Sequence, residues 1–116
     1  METPIVYLAS AIRGVKVLPE GFLWEIANFM EAYGAIVLSK HVAARNPEEM
    51  RQVFLQKSGI DRGAVERPDV VTRQIEMAWI ERCTHMVAFV DGASTGVGME
   101  IEHALHRPVS ILCLVN

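Results

Sequence analysis

Little in this sequence points to a secreted, membrane-bound or nucleic-acid-binding protein. Two cysteines, Cys83 and Cys113, among 116 residues do not make a disulfide framework. No basic segment followed by an apolar stretch opens the chain at Met1-Glu2-Thr3-Pro4, so a reducing cytoplasm is the expected location. No apolar run approaches the ~20 residues of a membrane span. Positive charge is not in excess: 11 Lys+Arg stand against 14 Asp+Glu, a net charge of -3. That excludes the strongly basic footprint of a nucleic-acid polymer binder, and any anionic ligand must be drawn in by local geometry. No Gly-Lys-Ser/Thr follows a glycine-rich turn, so there is no P-loop. Gly96-Val97-Gly98 lacks the third spaced glycine of a dinucleotide fingerprint. Cys83, His85 and Cys113 are too sparse for a zinc site, and the expectation is no metal and no organic cofactor. Both cysteines read instead as small core hydrophobes. With 51% hydrophobic and 22% charged residues, the chain has the composition of one folded domain.

Two textures alternate along it. Short apolar runs at Ile5–Ala9, Ala35–Leu38, Met86–Val90 and Val109–Val115 have the length and branched composition of strands buried on both faces. Between them lie helical patterns. Leu23, Ile26, Met30 and Tyr33 recur at spacings of three and four, with Gly34 as a stop. Asn46-Pro47-Glu48-Glu49 is a helix start, and Ser58-Gly59 ends that helix. Val71, Ile75, Ala78 and Trp79 form a stripe over residues 69–82, and Val97, Ile101, Ala104 and Leu105 one over 96–106. The order predicts an α/β fold: a Rossmann-like three-layer sandwich with a mostly parallel sheet of four or five strands and helices on both faces. Ligands in such folds bind beyond the carboxyl ends of the strands.

Three loops reach that edge. The first carries Tyr7-Leu8-Ala9-Ser10-Ala11-Ile12-Arg13-Gly14, the second Ser39-Lys40-His41, and the third runs from Asp91 through Ser94-Thr95-Gly96-Val97-Gly98-Met99-Glu100 into a helix. Small residues let the third loop's backbone approach a ligand, and free N–H groups at a helix start favour anions. Glu100 is expected in or near the first turn, where the helix dipole favours its ionised form. Two readings stay open for it: an acid that stabilises the helix start, or a fixed carboxylate able to attack an anomeric carbon. Glu102 points away and reads as a solvated acid. Arg13 suits a phosphate or carboxylate, or else a surface ion pair. His41 could contact a ligand or lie on the surface. Tyr7 is a core tyrosine whose hydroxyl reaches the loops if its face is the right one. Glu76, just off the apolar stripe, would ordinarily be solvated.

These three segments, with Lys40-His41-Val42-Ala43-Ala44 and the stretch Arg73–Val90, resemble the nucleoside 2-deoxyribosyltransferase superfamily, most closely its 2′-deoxynucleoside 5′-monophosphate N-hydrolase branch. The resemblance implies that Glu100 attacks C1′ of the deoxyribose, that the free base leaves, and that water resolves the glycosyl-enzyme; in the transferases another base does so. It implies that Tyr7 helps hold the nucleophile and that Glu76 stands where the family usually has Asp, tied to the leaving base or sugar. Arg13, Ile12, Ser10, His41, Ser94, Gly96 and Gly98 become the substrate-binding positions. A deoxynucleotide is the expected partner; the alternatives are a deoxyribosyltransferase and a non-catalytic nucleotide-binding homologue. Where the hydrolases usually read Gly-Ser-Ile-Arg-Gly, this chain has Ser10-Ala11-Ile12-Arg13-Gly14. Residues 1–116 are expected to form a single domain of this family without its C-terminal helix, strand and helix. A homodimer or higher homo-oligomer is expected by resemblance, and because a four-stranded sheet leaves an open edge and Phe22, Trp24 and Phe29 add apolar surface.

Overall fold

The computed structural model describes residues 2–10, 21–90 and 95–114. Strand β1 (Ile5–Ala9) is followed by helix α1 (Phe22–Ala32), strand β2 (Ile36–Val37) and a 3-10 turn (Lys40–Ala43). Helices α2 (Pro47–Ser58) and α3 (Pro68–Arg82), strand β3 (His85–Phe89), helix α4 (Thr95–Leu105) and strand β4 (Ser110–Leu114) complete it. The sheet order is β2-β1-β3-β4, and every pairing is parallel. The fold is the expected α/β three-layer arrangement with four strands. Among the described residues no helix is long and apolar enough to cross a membrane.

Local chemistry sets the boundaries. Gly34 ends α1 at φ 95°, where only glycine is free of strain. Asn46 caps α2: its side chain accepts from the Glu49 N–H at 2.8 Å, with Pro47 at the first helical position. Strand β2 is only two residues long, and a side chain extends its hold on β1. The Ser39 hydroxyl accepts from the Leu8 N–H at 2.8 Å and donates to the Leu8 C=O at 2.7 Å. This ties the start of the 3-10 turn to the carboxyl end of β1.

The two cores lie on opposite faces of the sheet. Alternation along β1 sends Tyr7 and Ala9 to one side, against Phe54 of α2, Trp79 and Ile80 of α3 and Ala104 of α4. Val6 and Leu8 go to the other, against Ala27, Leu23 and Ile26 of α1. The first crossover steps from β1 to β2. The chain then returns past β1 to β3 on the opposite face, which makes the β1/β3 boundary the topological switch point.

Several expectations are corrected here. The buried stripe of α3 is Thr72, Glu76, Trp79 and Ile80; Ala78 is exposed, so the predicted stripe is rotated by about one residue. Glu76 is buried, not solvated. Cys83 is buried as expected, but Cys113 is exposed on the edge strand β4. Of the three aromatics on α1, only Phe29 is largely exposed. Phe22 packs edge-on against Phe89, and Lys40 and Arg45 sit over the Trp24 ring.

Candidate active site

Two residues from opposite ends of the chain meet at the switch point. Tyr7, on the third position of β1, is fully buried, and its hydroxyl donates to Glu100 Oε2. Glu100 is the sixth residue of α4 and so lies in the second turn; no acid occupies the first. The expectation that the helix start favours its ionised form fails for that reason. Burial dominates: removing the carboxylate from water pushes its pKa up to about 7. The Tyr7 hydrogen bond and Arg73 oppose this, and the nearby Glu76 charge adds to it. Tyr7 is itself pushed well above the ordinary tyrosine range, by burial and then by the charges of Glu100 and Glu76. It is therefore a permanent donor to the carboxylate.

A second acid faces the first. Glu76 projects from the buried stripe of α3, and its Oε2 lies 3.1 Å from His41 Nε2. His41 is wholly buried, its ring edge-on to Phe54 at 5.1 Å and tilted against Trp79 at 5.8 Å between centroids. One guanidinium nitrogen serves both acids. Arg73 Nη1 is 3.4 Å from Glu100 Oε2 and 3.8 Å from Glu76 Oε1. Arg73 lies three residues before Glu76 on α3, and its side chain is 38% exposed while those of both acids are 8% exposed. It sits at the mouth of the site.

A cleft of about 180 Å³ opens on this group, lined by Ser10, Val42, Arg73, Glu76, Gly96, Val97 and Glu100. The sequence-predicted residues Glu100, Glu76, Ser10 and Gly96 thus share one wall system, with Tyr7 directly behind Glu100. Gly98 is exposed, and a Cβ there would meet nothing within 4 Å. Ile12, Arg13 and Ser94 lie outside the described residues. Among the described residues no group of three or more His, Cys, Asp or Glu is placed to hold a metal ion.

No protein-family model matches the chain. Over 109 residues it is 34% identical to a protein of Methanosarcina mazei named putative 2′-deoxynucleoside 5′-phosphate N-hydrolase 1. The homologue bears out the family resemblance carried by the motifs. The match takes in 94% of this chain and 59% of that protein, so the chain spans about three-fifths of its relative's length.

Arg73 is the site residue that the sequence reading passed over as a ligand. The signal for it was slight: a cation three positions before an acid on one helix, which on its own describes any surface ion pair. Its meaning comes from Glu100, 27 residues further along the chain.

Proposed function

We propose that this protein hydrolyses the N-glycosidic bond of 2′-deoxynucleoside 5′-monophosphates, releasing free base and 2-deoxyribose 5-phosphate. The carrying observation is the carboxylate of Glu100, buried at the cleft wall and held by the Tyr7 hydroxyl. The name of the Methanosarcina mazei relative supports the same class of reaction. A carboxylate fixed beside a sugar-sized cleft suits attack on an anomeric carbon.

In this reading Glu100 Oε1 or Oε2 forms a bond to C1′ as the bond from C1′ to the base nitrogen breaks. The base departs with that electron pair and takes up a proton. Water then attacks C1′, its proton is taken up by a base in the cleft, and the Glu100 carboxylate is released. Glu76, the second carboxylate lining the cleft, is assigned this proton handling, and its position in the cleft wall supports that assignment. Tyr7 keeps its own proton throughout and orients Glu100. Arg73 offsets the charge of two neighbouring acids. Arg13 and Ser94 are assigned to the 5′-phosphate on the strength of the motif resemblance. A sugar without a 2′-hydroxyl reaches the oxocarbenium-like state more easily and fills less of the cleft.

We assign the protein to a self-associating state as well, supported by the exposure of Phe29 and Leu112, 63% and 55%. A monomer mass independent of concentration in sedimentation would refute that part.

The test of the reaction is chromatographic detection of free base after incubation with each deoxynucleoside 5′-monophosphate, with deoxynucleosides and ribonucleotides alongside. Release from deoxy monophosphates alone, abolished in Glu100→Gln, is the expected result. Exchange with added free base, indifferent to the 5′-phosphate, would indicate a transferase instead. Absence of release from a folded sample would overturn the reading.

A further inference from the structure

The two acids of the cleft are held in different ways. Glu100 receives a hydroxyl from the core of the sheet. Glu76 receives an imidazole from the 3-10 turn, His41 Nε2 to Glu76 Oε2 at 3.1 Å. The other ring nitrogen, His41 Nδ1, is buried and has no hydrogen-bond partner among the described residues. A buried N–H without an acceptor costs more than a bare ring lone pair in the same place. The proton of the neutral ring therefore belongs on Nε2, directed at Glu76. A doubly protonated ring would leave an unpaired N–H at Nδ1.

The ring has little freedom. Phe54 and Trp79 contact it, and the turn that carries it is anchored to β1 by Ser39. Glu76, by contrast, has a long side chain with three rotatable bonds. Without His41, that side chain loses its hydrogen bond at Oε2 and keeps only the 3.8 Å ion pair of Oε1 with Arg73. An aspartate at position 76 would fall short of the imidazole by roughly one carbon–carbon bond, ~1.5 Å. The longer acid and the buried histidine fit as a pair.

We propose that His41 is a positioning residue: through its Nε2–H it fixes the Glu76 carboxylate at the cleft wall, and it does so without touching substrate. This rests on the N-hydrolase reading, in which Glu76 handles a proton. The fixed carboxylate keeps Glu76 Oε1 at 3.8 Å from Arg73 Nη1, while Glu100 Oε2 lies nearer the same nitrogen at 3.4 Å.

The test compares His41→Leu, which fills the space without a donor, with His41→Gln, whose amide places an N–H near the position of Nε2. Base release from deoxynucleoside monophosphates is measured for both, alone and combined with Glu76→Gln. In His41→Leu, kcat falls about tenfold to a hundredfold, the range for a lost hydrogen bond to a charged group, while KM changes less than about threefold. His41→Gln recovers most of that loss. On the Glu76→Gln background His41→Leu has no further effect, because the two act as one unit. Equal losses in His41→Leu and His41→Gln would reduce the histidine to packing. A raised KM with kcat kept would make it a substrate ligand. Multiplicative losses in the double variant would separate it from Glu76. Any of these overturns the proposal.

Imidazole ¹⁵N NMR of the wild-type protein gives a readout that needs neither activity nor a folded His41 variant. A bare Nδ1 and a protonated Nε2 whose resonance moves in Glu76→Gln support the proposal; a protonated Nδ1 refutes it. A wild-type protein that releases no base but shows this spectrum contradicts the functional reading and leaves the His41–Glu76 geometry standing.

Discussion

The Tyr7 hydroxyl and Glu100 Oε2 form a buried hydrogen bond between residues 93 positions apart. Both partners are pushed toward their protonated forms by burial, yet only Glu100 titrates near neutrality. Tyr7→Phe removes the donor and leaves the packing. Since that hydrogen bond lowers the Glu100 pKa, the variant needs a higher pH to ionise this carboxylate. Base release, followed as kcat/KM, should fall by about 10-fold to 100-fold at neutral pH. The acid limb of its profile, near pH 7 for the wild type, should move upward. An unmoved limb would show that Tyr7 does not govern this carboxylate.

Glu100→Gln should abolish base release and stabilise the fold at high pH. The folded protein keeps a proton on Glu100 up to about pH 7, whereas the unfolded chain releases it near 4.5. Folding therefore weakens as pH rises through that interval. The neutral amide escapes the penalty. Urea denaturation should find the variant more stable than wild type above pH 7, by on the order of 3 kcal/mol, with the gap closing toward pH 4.5.

Arg73→Met should act in the same direction as Tyr7→Phe but from the solvent side. Arg73 lowers the Glu100 pKa, so its loss leaves more of the carboxylate protonated at neutral pH. Activity should drop several-fold at pH 6 and recover in large part by pH 9. A loss equal at both pH values would assign Arg73 to substrate binding, not to charge balance.

Asn46→Ala tests the frame away from the cleft. It removes the acceptor for the Glu49 N–H and should cost about 1 kcal/mol in urea denaturation. The kcat and KM of the folded protein should be unchanged, because Phe54, the α2 residue that packs on His41, lies two turns beyond the cap.

The parts of the fold that hydrophobic texture can express were legible in the sequence. Ile5–Ala9 is a strand with the predicted bounds, and the Asn46-Pro47 start and Gly34 stop fall where backbone chemistry puts them. The α3 stripe was misplaced for a physical reason. Its core-facing line is Thr72, Glu76, Trp79 and Ile80, and two of those four are polar. A pattern read by hydropathy assigns an acid to the solvent side, so a buried acid displaces the inferred face. Local rules fail most readily where a site has been built into a core. Glu100 misled in the opposite sense: its place near a helix start suggested an ionised group, and burial outweighs the dipole once it sits in the second turn. The exposure of Cys113 follows from its place on the edge strand, a matter of sheet order that no single strand's composition encodes.

The sheet order also governs how the protein can be born. Strand β1 is made before β2, β3 and β4 yet lies inside the sheet, and its neighbour β3 begins at His85. At ~5–20 residues per second of synthesis, Val6 waits roughly 4–16 s before the His85 strand beside it exists. For that time the apolar segment from Ile5 to Ala9 is a nascent strand without its full set of partners, and a ribosome-bound chain halted before α4 has neither Glu100 nor a cleft.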